Sequence, residues 1–123
     1  MAIRRFKVDV TVDASGDATA YTPKLSGKLV SIRYVKDDFA DGVDFTITAE
    51  TSGETLWTET NVNASKSCYP RAATASTAGA ASLYASGGTA VNDKIGLGND
   101  RVKIVVASGG NATSGTFHVT VDD

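Results

Sequence analysis

Apolar and polar positions alternate most regularly from Val43 to Ala49, where Val43, Phe45, Ile47 and Ala49 interleave with Asp44, Thr46 and Thr48. A period of two marks a strand with one face on a core. Thr51-Ser52-Gly53 breaks the alternation, and Thr55 to Thr58 then resume a β-favouring composition. Val43 to Trp57 therefore reads as a hairpin carrying the only tryptophan of the chain, with the Trp57 ring expected to cap the core and its indole N–H to find a partner. A lone hairpin is marginal in water, so its apolar face needs other strands to cover it.

The rest of the chain supplies candidates. Phe6, Val8, Val10 and Val12 alternate with Lys7, Asp9 and Thr11 before Ala14-Ser15-Gly16-Asp17. Asp17 to Tyr21 reads as a short second strand, with pairing near Thr22-Pro23 confined to a sheet edge or a strand end because proline cannot donate to a ladder. From Lys28 to Lys36, Val30, Ile32 and Tyr34 are expected on the core face. Near the C-terminus, Lys94 to Leu97, a turn at Gly98-Asn99-Asp100, Val102 to Ala107 and Thr116 to Val121 complete the set. Lys103, Val105 and Ala107 are apolar enough to predict a central strand covered on both faces.

Between Glu59 and Asn92 the alternation lapses into Ala, Ser, Thr, Gly and Asn. Gly79, Gly87 and Gly88 oppose helix, and no apolar stripe at helical spacing would dock one. The segment reads as a long excursion, extended locally at Ser82 to Ala85. Loops of this length in small domains are commonly functional or disordered, so partner contact is expected here. Tyr69, Arg71, Leu83 and Tyr84 are its candidate anchors. Seven or eight short strands without a helix predict a single all-β domain: an antiparallel two-layer sandwich or a jelly roll, with this one long excursion.

Composition adjusts that picture little. The 123 residues are 41% hydrophobic and contain no apolar run near the roughly 20 residues of a membrane helix, so no membrane partner is expected. The opening residues lack an apolar core region and a cleavage site, which predicts no cleavable secretion signal. A single cysteine, Cys68, leaves the fold to packing and suits synthesis in a reducing compartment. A net charge of -2 with scattered cations argues against a general nucleic-acid binder, and Arg4, Arg5 and Lys7 read as a solvated strand face.

Candidate chemistry is sparse. His118 is the only histidine and falls on the face opposite Phe117 and Val119; pairing it with Cys68 as base and nucleophile has no supporting context. Asp37, Asp38, Asp41 and Asp44 offer carboxylates, but Phe39 and Thr48 occupy the third and twelfth positions where an EF-hand needs oxygen ligands. Gly96-x-Gly98 lacks the third glycine and helix of a dinucleotide site, and the sequons at Asn63 and Asn111 read as chance. No catalytic residue, metal or cofactor is expected.

The stretches Gly27 to Tyr34, Cys68-Tyr69-Pro70-Arg71, Ser82-Leu83-Tyr84, Gly109-Gly110 and Gly115 to Val119 resemble small virion structural proteins of tailed bacteriophages that accompany or decorate the capsid. The likeness extends over most of the chain from about Gly27. It implies a non-enzymatic, β-rich homo-oligomeric protein, made in the host cytoplasm and carried on the virion in many copies bound to the major capsid protein. A tail- or fibre-associated carbohydrate-binding module using Trp57, Tyr69 and Tyr84 is the alternative.

Overall fold

The computed structural model of the chain describes residues 2–75, 78, 80, 82, 83, 85, 88, 89 and 91–122. Among them the regular elements are all strands: β1 (Ile3–Thr11), β2 (Ala18–Tyr21), β3 (Leu25–Val35), β4 (Val43–Ala49), β5 (Thr55–Val62), β6 (Lys66–Cys68), β7 (Arg71–Ala73), β8 (Asn92–Asp100), β9 (Val102–Ala107) and β10 (Ser114–Asp122). They form two antiparallel sheets packed as a β-sandwich. One has the order β1-β10-β3-β8-β7, with β6 also paired to β3; the other has the order β2-β9-β4-β5. The connections β1–β2, β2–β3, β3–β4, β8–β9 and β9–β10 each cross from one sheet to the other, while β4–β5 is a hairpin within the second.

The alternation read from the sequence becomes the inter-sheet core. Leu29, Ile32, Tyr34, Phe117, Val119 and Val121 from the first sheet face Val43, Phe45, Ile47, Val102, Ile104 and Val106 from the second, all fully buried or nearly so. Burying each such side chain is worth about 1.5–3 kcal/mol, which makes the two inner faces the main attraction between the sheets. At the centre Phe45 contacts Trp57 at 4.8 Å and Phe117 at 5.2 Å between ring centroids, both edge-on. Trp57 is buried as expected, and its Nε1–H donates to Glu59 Oε1 at 3.0 Å.

Three expectations require correction. Val30 is only half-buried and Leu29 takes its place in the core, because the β3–β10 register slips between Thr120 and Val121 and reverses the parity of β3 at Val30. Gly98-Asn99-Asp100 is not a turn: β8 continues to Asp100, with Asn99 at φ 53 where the β3–β8 register shifts, and the chain crosses between sheets at Arg101 alone. Finally, β9 is central in its sheet, but Val105 on its outer face is 37% exposed, so the strand is covered on one side.

The loops at the end of the sandwich are tied together through Gly16. Its φ of 84° favours glycine, and a Cβ there would lie 2.8 Å from the amide nitrogen of Gly109. That proximity lets the Gly109 N–H donate to the Gly16 carbonyl at 3.0 Å, joining the β1–β2 and β9–β10 loops.

Candidate functional site

The excursion is more ordered at its start than its composition predicts. β5 runs through Glu59 to Val62, β6 pairs Ser67 and Cys68 with Arg33 and Ile32, and β7 pairs Arg71 to Ala73 with Lys94 to Asn92. The strands are short because each is held by a tertiary partner and has no long alternation of its own. Residues 75–90 leave this base through a ring of backbone bonds. Thr74 N–H donates to Val91 C=O at 2.7 Å, Val91 N–H to Ser82 C=O at 2.9 Å, and Ser82 N–H to Thr74 C=O at 2.8 Å.

The four expected anchors have different fates. Between β6 and β7, Cys68 packs against the core and Pro70 is buried, so the corner is fixed on both sides of Tyr69. Tyr69 itself projects, 65% exposed. Leu83 is 41% exposed. Arg71 is exposed, yet one Nη donates to the carbonyls of Val30, at 3.0 Å, and Pro70, at 2.7 Å. Part of its hydrogen-bonding capacity therefore anchors the excursion to β3. Tyr84 lies outside the described residues.

The other constellations resolve into local roles. His118 faces outward while Cys68 pairs with Ile32 on the inner face, and β3 lies between their strands. Two strand spacings, about 10 Å, separate the two positions across the sheet, so they do not form a nucleophile–base pair. Burial, followed by the positive charges of Arg5, Lys7 and Arg33, lowers the His118 pKa, whereas burial and Glu59 push the Cys68 thiol up. The carboxylates of the β3–β4 connection are each engaged separately. Asp37 accepts from Thr116 at 3.0 Å, Asp38 from the Ser114 amide, Asp41 pairs with Lys36, and Asp44 accepts from the Asn61 amide at 2.8 Å. Among the described residues no three His, Cys, Asp or Glu side chains converge as a metal-ligand set.

A polar cluster that single-sequence reasoning missed secures the β8–β9 crossing. Arg101 makes a bidentate pair with Glu50 and lies 4.0 Å over the Tyr21 ring. The neighbouring carboxylate of Asp100 accepts from the amides of Thr51, at 3.0 Å, and Arg101, at 2.8 Å. Hydrogen bonds from the Thr51 amide hold the Asp100 pKa below the usual carboxylate range, and the Arg101 guanidinium does the same for Glu50. The available signal was an adjacent acid and base between two strands, which is too common to single out.

An open cleft of about 260 Å³ is lined by Glu59 through Lys66, none of them aromatic. With Trp57 buried, neither this cleft nor the tryptophan provides a stacking platform for a sugar ring. Among the described residues the candidate site is therefore Tyr69 on its fixed corner, with Leu83 a second exposed apolar residue of the excursion. No family model matches this chain, and no curated protein aligns with it.

Proposed function

We propose that this chain is a capsid decoration protein, a non-enzymatic virion component bound in many copies to the major capsid protein. The observation that carries the reading is the exposed Tyr69 held between core-packed Cys68 and buried Pro70, at the start of an excursion whose base is stitched to a rigid sandwich. An aromatic residue presented on a fixed corner is a favoured interface anchor because its backbone needs no further ordering on binding. Repetition over a lattice converts such small contacts into firm retention through effective concentration.

The winding also supports this reading. With β6 and β7 set aside, the remaining strands, renumbered one to eight, lie in the orders 1-8-3-6 and 2-7-4-5. We take that order as the jelly-roll winding, an architecture used repeatedly by viral capsid domains and also by lectins. The lectin alternative is disfavoured by the burial of Trp57.

The test replaces residues 75–90 with a short Gly-Ser linker joining Thr74 to Val91, whose backbones are already bonded, and combines this with Tyr69→Ala. The variant is expected to unfold cooperatively near the wild-type midpoint but to lose binding to capsids from the same source. Retention of wild-type capsid binding by the folded variant would refute the proposal.

A further inference from the structure

A sheet edge left open is a template for another strand, and soluble proteins commonly blunt such edges by shortening, bulging, proline or inward-facing charge. Most edges here are blunted. β2 has four residues and is followed by Thr22-Pro23; β6 and β7 have three each; β5 carries two register shifts and a positive φ at Asn61. β1 differs from them in length and regularity, although it carries Arg4 on its inner-face parity and Arg5 and Lys7 on its outer face. Its nine residues pair with β10 in one unbroken register, from Ile3 opposite Asp122 to Thr11 opposite Ser114, and it ends the sheet order.

The direction of its free backbone groups follows from one bond. Val12 N–H donates to Thr113 C=O at 3.0 Å, continuing the register in which Thr11 faces Ser114. Even-numbered β1 residues therefore form the hydrogen-bonded pairs with β10, and Ile3, Arg5, Lys7, Asp9 and Thr11 turn their N–H and C=O groups toward the open side. Side-chain parity agrees with a continuing sandwich: Phe6, Val8 and Val10 face inward, while Arg5, Lys7 and Asp9 are exposed on the outer face.

We propose that β1 pairs antiparallel with β1 of a second copy, about a twofold axis at Val8, extending the sheet through both molecules. In this register Lys7 faces Asp9 of the second copy, and Asp9 faces its Lys7. Arg5 faces Thr11, Phe6 faces Val10, and Val8 faces Val8. Opposite charges meet twice and apolar inner-face residues meet each other. Asp9 Oδ1 lies 3.1 Å from the Thr116 hydroxyl, which shares its one proton with Asp37, and 3.7 Å from Lys7 Nζ of its own chain. Shifting the axis to Lys7 would keep two opposite-charge pairs, Arg5 with Asp9, but add a Lys7–Lys7 pair, and shifting it to Phe6 would oppose Arg5 and Lys7 twice, so of the three registers only that at Val8 brings no like charges together. A single edge contact is at the small end of specific interfaces and yields a reversible dimer. The inference does not rest on the capsid reading and is tested on the purified chain without particles.

Sedimentation equilibrium of the full chain is expected to show a monomer–dimer equilibrium. Lys7→Glu and Asp9→Lys should each weaken it by at least about tenfold, because each places like charges opposite one another twice. The double variant should return to within about threefold of wild type, and Arg5→Glu, the same charge change opposite Thr11, should leave affinity little altered. Hydrogen exchange gives a check that needs no variant: protection of the Arg5, Lys7, Asp9 and Thr11 amides should rise with protein concentration, while that of Phe6, Val8 and Val10 stays constant. A chain that remains monomeric, single reversals without effect, or a double variant as weak as the singles would overturn the proposal.

Discussion

Gly115→Ala tests how the open end of the core is sealed. Gly115 lies in β10 opposite Val10, and a Cβ there would stand 2.4 Å from Cε2 and 2.6 Å from Cδ2 of Phe39. Phe39 comes from the β3–β4 connection and is 2% exposed, with its ring stacked on Tyr34 at 6.1 Å. The ring must therefore be partly expelled when Cβ is added. Overpacking alone costs about 1–3 kcal/mol and full loss of a buried phenylalanine about 3–5, so the expected loss is roughly 2–4 kcal/mol. Urea denaturation should show a midpoint lowered by roughly 1–2 M for a mid-range slope of about 2 kcal/mol per molar. In a Phe39→Leu background the same substitution should cost under about 1 kcal/mol, because neighbours that share one space couple. A Gly115→Ala loss below about 0.5 kcal/mol, or strict additivity with Phe39→Leu, would refute the steric argument.

Two further outcomes follow from the same structure. Phe45→Ala, which removes the ring packed against Tyr34, Trp57 and Phe117, should cost about 3–5 kcal/mol by chemical denaturation, whereas Thr46→Ala, on the exposed face with only the Thr58 hydroxyl at 3.2 Å, should cost under about 1. For pH, the Asp100 carboxylate has a folded pKa below its unfolded value because of the Thr51 amide, so the unfolded chain binds more protons in acid. Its stabilisation is complete above the unfolded pKa and is lost as pH falls through the folded one; Asp100→Asn should flatten the acid limb of stability against pH, and an unchanged limb would show that the carboxylate contributes nothing there.

The core was legible because burial imposes a period of two wherever one strand face is covered. Val43, Phe45, Ile47 and Ala49 follow that rule without interruption. Features that depend on partner strands were not legible. Nothing local marks Val30 as the point where β3 changes parity, since the slip arises in pairing with β10. Likewise Asn99 is strand-bound because its amide is held by the Ser26 hydroxyl at 3.1 Å, although Gly-Asn-Asp favours turns in isolation. At the candidate site, composition located the excursion and Tyr69, but the division of Arg71 between surface and scaffold depends on carbonyls of Val30 and Pro70.

That division explains how a long segment joins a small domain without loosening it. On the edge of β3 facing away from β10, Leu25 to Leu29 pair with β8 and Ile32 to Tyr34 pair with β6. Val30 lies between those two pairings, and its carbonyl receives the Arg71 guanidinium. β7 continues on β8, and the bonds among Thr74, Ser82 and Val91 close the base beyond it. The strands that lead into the excursion thus satisfy backbone groups that the eight-strand winding would leave open on β3 and β8. Among the described residues beyond that closure none belongs to the buried core, so the packing of the sandwich does not depend on them.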